Sequence, residues 1–153
     1  MLKRMKVKNL TVFPDADFEF STGLNVVIGE NGCGKSHLLK TAYALIAASA
    51  EEGRKPNVGD PTKTLMQKNY ADKLINVLRP ETLGRLARRK QGREKCELSF
   101  EFDEKQLNFT LGFATSSKSD VQIEMLNKAW QPKSPVFLPT REMLTLYPGF
   151  VSV

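Results

Sequence analysis

At 153 residues, 41% hydrophobic and 26% charged, the chain is long enough for one domain with a core and short for two. Its two cysteines, Cys33 and Cys96, are too few for a disulfide framework and too far apart in sequence for a zinc pair. No apolar run reaches the roughly 18 residues that span a bilayer, and no apolar stretch follows the N-terminal basic residues as in a secretory signal, so the expectation is a cytoplasmic protein with no membrane. Much of the net charge of +6 lies between Arg79 and Lys95, where seven basic residues stand against two acidic ones.

In chain order, Leu2, Met5, Val7 and Leu10 punctuate a basic run and predict an edge strand from about Lys3 to Asn9, with Lys3, Lys6 and Lys8 facing water. Phe13-Pro14-Asp15 reads as a turn and Asp17 to Phe20 as a second strand. Ser21-Thr22-Gly23 then turns the chain into Leu24 to Ile28, a continuous apolar run that suits a strand covered on both faces.

That run leads into Gly29-Glu30-Asn31-Gly32-Cys33-Gly34-Lys35-Ser36, the spacing of a phosphate-binding loop between a strand and a helix. A triphosphate concentrates several negative charges, and a loop that wraps it must turn backbone N–H groups inward with no side chains in the way. Gly29, Gly32 and Gly34 allow this. A helix beginning near Lys35 adds its unpaired N–H groups and the positive end of its dipole. Lys35 is placed for the β- and γ-phosphates and the Ser36 hydroxyl for Mg²⁺. The nucleotide-binding set is therefore Gly29, Glu30, Asn31, Gly32, Cys33, Gly34, Lys35, Ser36 and His37. His37, without Cys or carboxylate neighbours at ligand spacing, is not a metal site.

The first helix runs to about Ala50, apolar around more than half its circumference, and is expected to pack on the sheet. Glu51 to Pro61 is a surface connection. Pro61, after Asp60 as N-cap, opens a second helix through Leu78, striped by Leu65, Met66, Tyr70, Leu74, Val77 and Leu78. A short third helix, Glu81 to Lys90, carries much of the basic cluster. Arg85, Arg88, Arg89, Lys90 and Arg93 are either a contact for nucleic acid or a solvated face. Beyond Gly92 the period becomes two. Cys96 to Phe102, Leu107 to Phe113 and Val121 to Met125 predict an antiparallel meander whose apolar face the helices cover. Trp130 to Pro135 is a loop, and Val136 to Leu138 a short buried strand before Pro139-Thr140-Arg141-Glu142.

The wording GENGCGKS, after the block MLKRMKVKNLTVFPDADFEF, resembles the opening of ABC-type ATPases of the SMC, RecF and OLD branch, AAA-family ATPases of DNA repair and phage defence whose loop reads G-x-N-G-x-G-K-S. The likeness covers about the first 50 residues and, more loosely, Leu138 to Glu142. Cys33 stands where that branch often has Ser or Ala. The resemblance implies an α/β fold, the N-terminal lobe of a P-loop head with an antiparallel β-subdomain and a small helical insertion. It implies ATP and Mg²⁺ as ligands and head-to-head dimers on ATP, with a nuclease or effector attached in some settings. By the same likeness Asn31 shapes the loop and contacts a partner across the nucleotide. Phe13 either stacks on the base or packs the first hairpin, and Arg141 either contacts phosphate or pairs on the surface.

No Walker B strand ending in paired carboxylates and no LSGG-like signature is visible, and the last residues are apolar, so the expectation is a partial lobe. Its segments are 1–50 with the loop and first helix, a basic helical insertion at 51–92, the meander and buried strand at 93–138, and a cut connection at 139–153. Three readings follow. The chain is an ATPase lobe completed by the missing portion or a second copy and inactive alone; or a non-hydrolysing, nucleotide-dependent interaction module or decoy; and a nucleic-acid contact through the basic segment is compatible with both.

Overall fold

The computed structural model describes residues 1–89 and 95–138. Five strands form one antiparallel sheet in the order β2-β1-β3-β4-β5, with β1 Leu2–Leu10, β2 Phe13–Glu19, β3 Cys96–Phe102, β4 Phe109–Phe113 and β5 Gln122–Met125. Alternation along each strand explains its two faces. Met5, Val7, Leu98, Phe100, Phe109, Leu111 and Ile123 are buried, while Lys6, Lys8 and Asp17 face out. The register aligns the buried set into rows, Met5 opposite both Phe18 and Phe100, and Phe100 opposite Phe109.

The helices α1, Lys35–Gly53, and α2, Lys63–Leu78, pack along each other over the apolar face. Tyr70 of α2 stacks on Phe109 at 4.9 Å between centroids, and Phe109 on Phe100 at 4.8 Å. The Tyr70 hydroxyl donates to Asn127 Oδ1 at 3.1 Å. That bond removes the cost of burying the hydroxyl, while burial pushes the phenol well above its usual pKa.

The expected fold class and three-strand meander are present, and Lys3, Lys6 and Lys8 are exposed as expected. Five details differ. First, β1 is not an edge strand: it lies between β2 and β3, so the first hairpin and the meander are one sheet. Second, β2 already begins at Phe13, and the turn is Thr11 and Val12.

Third, α2 starts at Lys63 with Thr62 as N-cap, leaving Pro61 buried ahead of the cap. Fourth, the expected third helix is a single 3₁₀ turn, Leu83–Leu86. Its backbone donors go elsewhere: Leu83 N–H donates to Lys118 O at 3.2 Å and Gly84 N–H to Ser117 O at 2.8 Å. A Cβ at Gly84 would collide with the Thr115 carbonyl, so the β4–β5 connection seats only glycine there.

Fifth, neither Leu24–Ile28 nor Val136–Leu138 is a strand. Leu24, Val26 and Ile28 are 88%, 71% and 86% exposed, and Val136 and Leu138 are 81% and 82% exposed. Phe137, between them, turns back to Tyr43 of α1 at 5.7 Å. An apolar run becomes a buried strand only where another chain segment completes its ladder, and the described residues spend their strands on the antiparallel sheet. Arg141, Glu142, Lys90 and Arg93 lie outside the described residues.

Candidate functional site

A small turn aims the chain from the sheet toward the glycine loop. Ser21 N–H donates to Asn25 Oδ1 at 2.9 Å, and Asn25 Nδ2 donates to Ser21 O at 3.0 Å and Gly23 O at 3.2 Å. In the loop, Gly32 and Gly34 have φ of 82° and 93°, values that favour glycine. At Gly34 space is short as well: a Cβ would come within 2.5 Å of Val12 Cγ2 and 2.8 Å of the Phe13 ring. The last glycine of the loop is thereby wedged under the β1–β2 turn.

Gly34 is also the N-cap of α1 and brings no side chain to cap it. The first amide bonded inside the helix is that of Leu38, donating to Gly34 O at 2.9 Å. The amides before it lack intrahelical partners and carry the positive end of the helix dipole. They border an open cavity of about 250 Å³ lined by Val12, Asn31, Gly32, Gly34, Lys35, Ser36 and His37. The Lys35 ammonium donates to Gly29 O at 2.7 Å and Glu30 O at 2.6 Å and stands 3.7 Å from Cys33 Sγ. The loop's own carbonyls thus hold the cation over the loop. Ser36 and His37 are exposed on the first turn of the helix. This donor set of backbone amides, one ammonium and one hydroxyl fits a polyphosphate with a hard cation, and at Gly32 the missing side chain leaves open space within 4 Å.

A second concavity of about 240 Å³ lies between α1 and α2, but both of its lysines are already paired: Lys55 with Glu52 and Lys73 with Glu51, each at 2.6 Å. Among the described residues no group of three or more His, Cys, Asp or Glu could hold a metal ion. No helix among them is long and apolar enough to cross a membrane.

The other expected residues scatter. Phe13 is half-buried, perpendicular to Phe18 at 6.0 Å between centroids, with its edge toward Gly34. Arg85 pairs with Glu81 at 3.1 Å and Arg89 is exposed. Arg88 turns away from them, donating from Nη1 to Val12 O at 2.7 Å. Sequence reasoning missed Val12 and this link. The exposed apolar residue beside Phe13 was a weak signal for the first; nothing local joins two residues that far apart.

A family model described as an AAA domain matches residues 4–130. The chain belongs to the AAA domain family. This AAA domain is 42% identical over 40 residues to the DNA double-strand break repair Rad50 ATPase of Archaeoglobus fulgidus, a match covering 26% of the chain and 4% of that protein. Over 85 residues it is 29% identical to the DNA replication and repair protein RecF of Streptococcus suis, covering 56% of the chain and 22% of that protein. The matches thus span a small part of either relative. A solved structure from work on ATP-driven dimerization and DNA-stimulated activation of SMC ATPases superposes with a TM-score of 0.51 at 12% identity, covering 99% of this chain and 84% of that one. The fold is that of the N-terminal lobe of an SMC ATPase head, and the expected resemblance to the SMC and RecF branch is borne out.

Proposed function

We propose that this AAA domain is the ATP-binding lobe of an ABC-type ATPase and grips Mg-ATP through Gly29 to His37. The observation that carries the reading is the convergence, on one cavity, of an uncapped helix N-terminus with the Lys35 and Ser36 side chains. Backbone amides of the loop would hold the β- and γ-phosphates. Lys35 would exchange its bonds to Gly29 O and Glu30 O for phosphate oxygens, and Ser36 would hold Mg²⁺. The metal supplies charge neutralisation between the phosphates. Among the described residues the cavity wall is neutral or cationic. It suits binding; a group that orients an attacking water must come from another segment or a second copy.

The exposed Leu24, Val26 and Ile28, and Val136 and Leu138 either side of the Phe137 that meets Tyr43 of α1, support the same partnership, since both runs are apolar and lack a ladder among the described residues. We infer that a further polypeptide segment completes a sheet there, in a cytoplasmic setting. Dimerization on ATP and contact with DNA are carried over as proposals from the SMC neighbour, with Arg85 and Arg89 as the exposed cations for DNA. A non-hydrolysing nucleotide-dependent module is the second reading, favoured by the same cavity wall.

The deciding experiment is calorimetric titration of Mg-ATP into the 153-residue chain beside Lys35→Ala. Binding by the parent and its loss in a folded Lys35→Ala variant are expected; equal affinity in the two would sink the assignment. Turnover by the parent alone is expected to be negligible. For DNA, joint replacement of Arg85 and Arg89 by Ala should weaken a salt-sensitive complex; an unchanged complex returns them to a solvated face.

A further inference from the structure

The solvent face of the sheet carries its charges in columns. Register sets Arg4, Lys6 and Lys8 of β1 opposite Glu19, Asp17 and Asp15 of β2 on one side, and opposite Glu101, Ser99 and Glu97 of β3 on the other. A basic strand is thus held between two acidic ones, with Arg4 on Asp17 at 2.6 Å and Lys8 near Glu97 at 3.7 Å. Beyond β2 the alternation stops, because β2 is the end of the sheet.

The backbone of β2 is open on that side. Phe20 N–H donates to Lys3 O at 2.8 Å, and in an antiparallel ladder alternate residues bond the same neighbour. Phe18, Ala16 and Pro14 therefore face β1, while Asp15, Asp17 and Glu19 turn their N–H and C=O groups outward. Among the described residues no main-chain hydrogen bond reaches those outward groups. Pro14, which could have blunted the edge, has its missing donor on the paired side. On the core side of the same strand Phe18 and Phe20 pack against the buried cluster and remain only half-buried.

We propose that the outer edge of β2 is a docking site for an extended peptide segment in which cationic residues alternate with apolar ones, added antiparallel to the sheet. Strand β1 is the template, since it already pairs β2 with Arg4, Lys6 and Lys8 on one face and Met5 and Val7 on the other. Two carboxylates are left for incoming cations. Asp15 forms no ion pair among the described residues, and Glu19 only approaches Arg4 at 3.9 Å. Charge also excludes a second copy: antiparallel pairing sets outward-facing residues against one another, so two β2 edges would oppose acid to acid. Strand addition takes its affinity from main-chain bonds and its selectivity from alternate side chains. Here the cations would meet Asp15, Asp17 and Glu19, and the apolar residues would cover Phe18 and Phe20.

The probe is the end-blocked peptide Lys-Val-Lys-Val-Lys-Val-Lys, as long as β2, added to the 153-residue chain and followed by amide exchange and calorimetry. In the chain alone the amides of Asp15, Asp17 and Glu19 should exchange rapidly. The peptide should slow them and leave unchanged those of Ala16 and Phe18, which β1 already protects. In this pairing the lysine amides of the peptide point at β2 and the valine amides point away. Methylating the lysine backbone nitrogens should therefore weaken binding by about tenfold or more, and methylating the valine nitrogens should not. Equal affinity of the two methylated peptides would mean charge attraction alone, and the proposal fails. Asp15→Lys combined with Glu19→Lys should reverse the preference toward Glu-Val-Glu-Val-Glu-Val-Glu; an unreversed preference in the folded variant also overturns it. So does slow exchange of the three outward amides in the chain alone, whether a second copy or another segment covers them, and so does a peptide that leaves them fast.

Discussion

Gly34 meets two demands at once, a left-handed backbone and the absence of a side chain under Val12 and Phe13. Gly34→Ala is therefore expected to cost about 2 kcal/mol or more of stability, read as a lowered denaturation midpoint, and to disturb the cavity as well. Arg4 grips Asp17 in a fork, Nε to Oδ1 at 2.8 Å and Nη2 to Oδ2 at 2.6 Å. Those hydrogen bonds from Arg4 hold the Asp17 carboxyl below its ordinary pKa. A carboxyl with a depressed folded pKa binds more protons unfolded than folded in the interval between the two values. Its contribution is thus fully present above the unfolded value near about 3.9 and disappears as pH falls through the folded one. Denaturant midpoints of the parent should fall more steeply than those of Asp17→Asn as pH is lowered through this interval; parallel slopes would remove the pair from the acid limb. At this scale the glycine loop was legible because its chemistry is written in consecutive residues. The hydrogen bond from Arg88 to Val12 was not, because the fold alone brings those residues together.

The elements owe their order to aromatic packing between α2 and the middle of the sheet. Tyr70, Phe109 and Phe100 stack in sequence, each fully or almost fully buried. Phe109→Ala would open a hole between the other two rings, and a loss of about 3–5 kcal/mol in equilibrium unfolding is expected. A much smaller loss would mean that the helix collapses onto the gap. Strands β3 and β4 were readable from their alternation, since a sheet with one buried face imposes a period of two. The third helix was misread for a different reason. Its local composition permits a helix, but Leu83 and Gly84 give their amides to the β4–β5 connection, and Ala87 joins β1. Tertiary partners outbid local propensity over so short a stretch.

For the whole molecule, the question is where Leu24–Ile28 and Val136–Leu138 go. Their composition was read as buried strand, and the described residues leave both open. The two statements agree if the completing strands belong to another segment, because burial is a property of the assembled surface rather than of the run itself. Amides of both segments should exchange with solvent rapidly in the chain alone and become protected once that segment is added; slow exchange in the chain by itself would show that it satisfies them internally. The single tryptophan lies at the opposite end of the same helix. Trp130 covers Gly53 and donates from its indole to Gly59 O at 2.8 Å. With α1 rising about 1.5 Å per residue, its 19 residues set that ring nearly 30 Å from the glycine loop. Intrinsic fluorescence is consequently a built-in remote gauge. It follows the junction of the two helices during melting, and any change in emission on adding nucleotide would measure how far an event at the loop travels along the helix.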